Sequence, residues 1–127
     1  MKLDHATVST PHLETMRDFF CSIVGLSVGP RPPFSFEGHW LYHDGKAVIH
    51  LIKTNSDHPF TKQSSYIDHV AFRVENEVDW NALIARLEAG GIAYRTTTLP
   101  DGSERQLFVT PMSGVRIEFV TASIASR

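Results

Sequence analysis

Apolar residues fall into two successive series along the chain, and the second repeats the first. KLDHATVS (2–9) alternates as a half-buried strand. It leads into TPHLETMRDFFCSIVG, where Leu13, Met16, Phe19, Phe20, Ile23 and Val24 form one helical stripe. Thr10 suits the N-cap of that helix, Pro11 its first position and Gly25 its end. In the second series YIDHVAFR (66–73) is the strand and NEVDWNALIARLEAGG the helix. Asn76 is the cap there, Trp80, Leu83, Ile84 and Leu87 the stripe, and Gly90 or Gly91 the stop. Each helix is followed by a short extended piece, LSVGPR or IAYRTT. Two further strands then follow: HWLYHD and KAVIHLIK across Asp44-Gly45, and SERQLFVT and VRIEFVTA across PMSG. Three prolines keep GPRPPFSFEG out of any strand and predict a loop.

The two series are in register as an internal repeat. His5 and His69 are 64 positions apart, Gly25 and Gly91 66, and His50 and Glu118 68. Each half reads β-α-β-β-β. The expected fold is therefore α+β: one domain of two tandem modules, residues 1–53 and 66–127, joined by a polar connector at 54–65. The modules are expected to form a cup-shaped mixed sheet with the helices on its outer face.

Strand alternation sorts the side chains by face. Ala6 and Val8 oppose His5 and Thr7; Val70, Phe72 and Val74 oppose His69 and Arg73; Ile49 and Leu51 oppose His50; Ile117 and Phe119 oppose Glu118. The apolar faces can pack on the helices, which leaves three histidines and a glutamate on the other face. A buried polar group without a partner costs about 1–3 kcal/mol, and an isolated carboxylate more, against a net stability of about 5–15 kcal/mol. A divalent metal (zinc, iron, nickel, cobalt or manganese) would satisfy His5, His50, His69 and Glu118 together. Taken singly, a mid-strand histidine is more often hydrogen-bonded or half-exposed, and a glutamate on a terminal strand more often faces solvent. What favours a site is that all four stand at repeat-equivalent positions. His12, His39, His43 and His58 lack that symmetry and are expected on the surface or in loops.

Composition narrows the function classes. At 127 residues the chain is long enough for a sizeable core. Its net charge of −2 offers no electrostatic footprint for nucleic acid or an anionic membrane. No apolar run spans a bilayer, and no export signal opens the chain, so a cytoplasmic protein is expected. Cys21 is the only cysteine, which excludes an internal disulfide; its spacing from Phe20 and Val24 suggests packing.

The duplicated unit, the LDH and IDH openings and the closing QLFVTPMSGVRIEF resemble the vicinal oxygen chelate superfamily, which includes glyoxalase I, bleomycin-resistance proteins, fosfomycin-resistance transferases and extradiol dioxygenases. The resemblance covers essentially the whole chain. It implies a metal at the ends of the first, fourth, fifth and eighth strands, here His5, His50, His69 and Glu118, and a homodimer. His50 stands where glyoxalase I usually has a glutamate. His5, His69 and Glu118 match the two-histidine, one-carboxylate set of the extradiol dioxygenases. Thr7 lies where the fosfomycin-type transferases place a substrate-binding threonine, and bleomycin-binding members lack the ligands altogether.

The resulting expectation is a metal-dependent lyase or isomerase acting on a small substrate that chelates the metal through adjacent oxygens. Glu118 or His50 would move the proton. Trp40, Tyr42 and the GPRPPFSF loop are expected to wall the pocket, with Arg31 and Arg73 available to an anionic group. An Fe(II) dioxygenase of extradiol type and a non-catalytic small-molecule-binding protein are the alternatives.

Overall fold

The computed structural model describes residues 1–54, 65–112 and 115–123, so His58 and nearly all of the expected connector lie outside the described residues. Ten elements follow in the expected order. They are β1 (Lys2–Thr10), α1 (Leu13–Phe19), β2 (Ser27–Gly29), β3 (Gly38–His43), β4 (Lys46–Lys53), β5 (Tyr66–Arg73), α2 (Glu77–Ala89), β6 (Arg95–Thr98), β7 (Glu104–Met112) and β8 (Val115–Ala122). The class is α+β with mixed strand directions, as the repeat implied.

The chain divides into two compact units. One is His5–Asp68; the other is His69–Arg127 together with Met1–Asp4. Both divisions fall inside an Asp-His pair, so β1 and β5 each begin in one unit and continue in the other. In the His5–Asp68 unit the strand order is β2–β3–β4–β1. There β1 runs parallel to β4 with Thr7 opposite His50, and β3 runs antiparallel to β4 with Trp40 opposite His50. In the other unit the order is β5–β8–β7–β6. There β5 runs parallel to β8, Phe108 of β7 lies opposite Glu118, and Thr97 of β6 lies opposite Gln106 of β7. The two units have the same topology strand for strand.

Each unit has its own apolar core on the helix side of its strands. Val8, Leu13, Leu26, Leu41 and Leu51 form one, with Met16, Phe20, Cys21 and Ile49 packed on it. Val74, Trp80, Leu83, Leu87, Leu107 and Val109 form the other, with Ile84 and Phe119 packed on it. Helix α2 starts as its sequence predicts: the Asn76 side chain accepts a hydrogen bond from the Asp79 amide at 2.9 Å. The Asp44-Gly45 turn also forms as predicted, both residues having positive φ (49° and 77°) as a tight hairpin turn requires.

The first helix departs from its pattern. Strand β1 continues to Thr10, whose hydroxyl accepts from the His12 amide at 2.9 Å, so α1 begins two residues later than expected. After Phe19 the backbone widens into a π-helical turn, Phe20–Val24, closed by Gly25 at φ 92°. The wider turn rotates the following side chains out of the α-helical stripe. Phe20 and Cys21 keep their place against the core, whereas Phe19, Ile23 and Val24 are exposed.

Strands β3 and β4 pack closely at their outer end. A Cβ on Gly38 would lie 2.3 Å from the Leu51 carbonyl oxygen, which is backbone and cannot yield cheaply. Gly38→Ala is expected to cost about 1–3 kcal/mol. A lower urea midpoint at unchanged m-value is the measurement that checks it.

Candidate functional site

The polar face of the His69–Arg127 unit centres on Glu118. Alternation along β8 turns Glu118 away from Ile117 and Phe119, yet only 2% of it is exposed. A carboxylate so buried requires partners. Its Oε1 lies 2.9 Å from Nε2 of His69, and its Oε2 accepts a hydrogen bond from the Gln106 side-chain amide at 3.1 Å. Gln106 is itself held: its Oε1 accepts from the Thr97 hydroxyl at 2.8 Å. Phe108 meets the His69 ring edge-on, with centroids 5.8 Å apart, and the Arg95 guanidinium lies over Phe108.

Arg73 shares the face of β5 with His69 but is engaged by the protein's own carboxylates. It donates to Asp4 at 2.7 Å and to Glu104 at 2.6 Å. Burial pulls its guanidinium down, but these bonds outweigh burial and hold it above its ordinary value. The resulting role is to fasten the first residues of β1 within this unit. Asp4 is buried and immediately precedes His5 in the chain.

In the His5–Asp68 unit the corresponding face carries a stack of aromatic rings. His50 is sandwiched between His5 (centroids 3.7 Å apart, planes at 17°) and Trp40 (3.9 Å, 11°). Phe34 of the proline-rich loop approaches Trp40, and Phe36 stacks on Phe34 at 4.8 Å. The Arg31 guanidinium lies over both phenylalanines and donates to the Phe36 carbonyl at 3.1 Å, while burial lowers its pKa. The loop thus continues the wall begun by Trp40. Tyr42 is tied to the same loop, its hydroxyl donating to the Pro30 carbonyl and its ring occupying the space beside Gly29. Thr7 is buried opposite His50. His39 and His43 instead stand near Glu14 and Asp44, and His12 precedes α1.

Within the His69–Arg127 unit, His69 and Glu118 are the two residues of the expected metal set that stand together. The pair fits a metal ion: two donors about 2.0–2.2 Å from a common ion stand about 3 Å apart. The expected fourth member, His50, shares with His5 a nearly parallel ring stack. The ring lone pairs lie in the ring planes, so in this arrangement those of His5 and His50 run side by side instead of converging. Sequence reasoning missed Thr97, Gln106 and Asp4. The available signal for Gln106 was its parity with Phe108 on the strand paired with β8.

The family model for the glyoxalase/bleomycin resistance protein/dioxygenase superfamily matches residues 2–119, and the chain belongs to that superfamily. No curated protein matches it in sequence. Solved structures of similar fold include methylmalonyl-CoA epimerase from Mycobacterium tuberculosis, at 20% identity and TM-score 0.75 over 99% of this chain and 92% of that one. A Streptomyces coelicolor methylmalonyl-CoA epimerase variant in complex with 2-nitronate-propionyl-CoA is 20% identical, TM-score 0.69, over 96% and 97%. The 2,3-dioxygenase LapB from a Pseudomonas species is 18% identical, TM-score 0.75, over 95% of this chain but 40% of that one. Among the described residues no helix is long and apolar enough to cross a membrane.

The Asp4–Arg73–Glu104 bridge yields a stability prediction. Arg73→Leu leaves the buried Asp4 carboxylate without its guanidinium and is expected to cost about 3–5 kcal/mol. Chemical denaturation of the metal-free protein measures it, and Lys2→Leu, which removes a solvent-exposed ion pair with Glu75, should cost under about 1 kcal/mol in the same assay.

Proposed function

We propose that this protein is a cytoplasmic metal-dependent enzyme in which His5, His69 and Glu118 hold one divalent ion. The observation that carries the reading is the pairing of a nearly inaccessible carboxylate with His69 at 2.9 Å, the spacing of two ligands on one ion. A divalent ion there supplies Lewis acidity toward two neighbouring oxygens of a small substrate. The protein supplies the rest. Trp40 and Phe34 form an aromatic wall that excludes water, and Thr7 offers a hydroxyl beside His50. His50 serves as a stacked neighbour of His5 instead of a fourth ligand, its ring plane fixed between two others, and it is the acid–base residue of this reading. Of the two arginines expected to meet an anionic substrate group, Arg31 is the one this reading keeps, since Arg73 is bound to Asp4 and Glu104.

The reaction class favoured is proton transfer between adjacent carbons, of lyase or isomerase type. The fold similarity to epimerases along nearly their whole length supports it, as does an acid–base residue beside a three-ligand set. A second reading, an Fe(II) dioxygenase of extradiol type, is favoured by that same count of three. Two histidines and one carboxylate leave positions open for substrate and oxygen. Assembly as a homodimer belongs to both readings, and light scattering at twice the chain mass tests it.

Elemental analysis of protein purified without a metal-affinity tag should find about one metal per chain; less than half sinks the enzyme reading. His5→Ala and Glu118→Ala are expected to abolish metal retention, and retention by both variants would show the ligand assignment to be wrong. Oxygen uptake by the anaerobically iron-loaded protein across a panel of catechols separates the reaction classes. Uptake establishes the dioxygenase; none, with exchange of a substrate C–H proton into deuterated water, establishes proton transfer.

A further inference from the structure

We infer that Thr97 and Gln106 form a positioning relay that presents Glu118 to the metal through one oxygen only. The inference rests on the metal reading above and concerns how the carboxylate is held. An ionised carboxylate can only accept hydrogen bonds. Gln106 must therefore turn its amide nitrogen, not its oxygen, toward Glu118 Oε2, which stands 3.1 Å away. Its own oxygen then faces Thr97, whose hydroxyl must donate, at 2.8 Å. The charge on Glu118 thus fixes the direction of both hydrogen bonds.

The backbone supports the same assignment. Thr97 and Gln106 are direct cross-strand partners, and Gln106 reaches Glu118 diagonally because Phe108 occupies the position opposite it. The three side chains lie on one face of three successive strands, so no loop movement is needed to assemble them. Oε2 accepts from Gln106, and Oε1 is the oxygen that stands beside His69. A metal held by His69 and Glu118 would then meet the carboxylate mainly through Oε1, with Oε2 held by Gln106. Hydrogen-bonded neighbours of this kind typically contribute about 10–100-fold to metal affinity. Neither residue has to touch substrate, so both are positioning residues.

Co(II) is the probe, because its d–d absorption reports coordination number directly. Titrated into metal-free protein, Co(II) should bind Gln106→Leu about 10–100-fold more weakly than wild type, with a changed d–d band as the freed oxygen joins the coordination. Thr97→Val, which keeps shape but removes the hydroxyl, should shift affinity and band in the same direction by a smaller amount. Thr97→Ser should restore both, a rescue that a merely structural role for the site would not produce. Wild-type affinity and spectrum in Gln106→Leu overturn the relay. Should that variant not fold, equal behaviour of Thr97→Val and Thr97→Ser overturns it. Wild-type protein that takes up no Co(II) overturns the metal reading and the relay together, which separates that failure from failure of the relay alone.

Discussion

One buried negative charge organises this chain. Glu118 sits mid-strand between two apolar neighbours, with 2% of its surface exposed. Leaving it there without compensation would remove much of the domain's net stability. Compensation arrives from three strands: His69 on β5, Gln106 on β7 and, through Gln106, Thr97 on β6. The strand order β5–β8–β7–β6 is the arrangement that brings all of them to one face. Slipping β8 by one residue against either neighbour would put the carboxylate into the apolar core and Ile117 or Phe119 onto the polar face. The position of Glu118 and the register of β8 are therefore one constraint.

The other unit satisfies its polar strand residue differently. His50 is itself an aromatic ring, so the faces of neighbouring rings can pack against it. It stacks on Trp40 and His5 at under 4 Å. Face-to-face stacking restricts rotation about the last side-chain bond of all three residues, which fixes the plane in which the His5 nitrogens lie. A histidine ligand usually has its ring orientation set by a hydrogen bond from its second nitrogen. If His5 is a ligand, as proposed, its aromatic neighbour contributes to the same end through packing, and the proline-rich loop extends that packing outward through Phe34, Phe36 and Arg31.

Most of the frame was legible in the sequence because duplication prints each rule twice. Strands β4, β5 and β8 span the residues their alternation predicted, and the Asn76 cap and the Asp44-Gly45 turn rest on local chemistry that tertiary context did not override. The π-helical turn after Phe19 was not legible. Its apolar residues fit an α-helical stripe, and only the backbone path decided that Ile23 and Val24 would face outward. Of the candidate site, the histidines and Glu118 were legible because ionisable residues stand out in apolar strands. Thr97 and Gln106 were not, since a polar residue on an outer strand reads as solvent-facing until the strand beside it is known to carry a buried charge. Arg73 was given to an anionic substrate for a related reason. Its true partners, Asp4 and Glu104, are 69 and 31 positions away, beyond any local pattern.

The registers allow the two units to be compared position by position, which shows where the repeat has diverged. Trp40 opposite His50 corresponds to Phe108 opposite Glu118, and Gly38 opposite Ile52 corresponds to Gln106 opposite Val120. Where one unit places an amide that donates to its carboxylate, the other has no side chain at all. The vacated volume is used: an ideal Cβ on Gly38 would lie 3.3 Å from the Arg31 guanidinium. Arg31 also stands 66 positions before Thr97, close to the repeat offset. Thr97, Gln106 and Glu118 in one unit thus correspond to Arg31, Gly38 and His50 in the other, with Arg31 just beyond the end of β2 in the proline-rich loop. In the first, the outer residues serve the inner carboxylate. In the second, the inner histidine is held by rings, and the outer arginine is released from that duty. The duplicated frame thus satisfies the same inner strand position in two ways, a carboxylate held by an amide donor in one unit and an imidazole held between rings in the other.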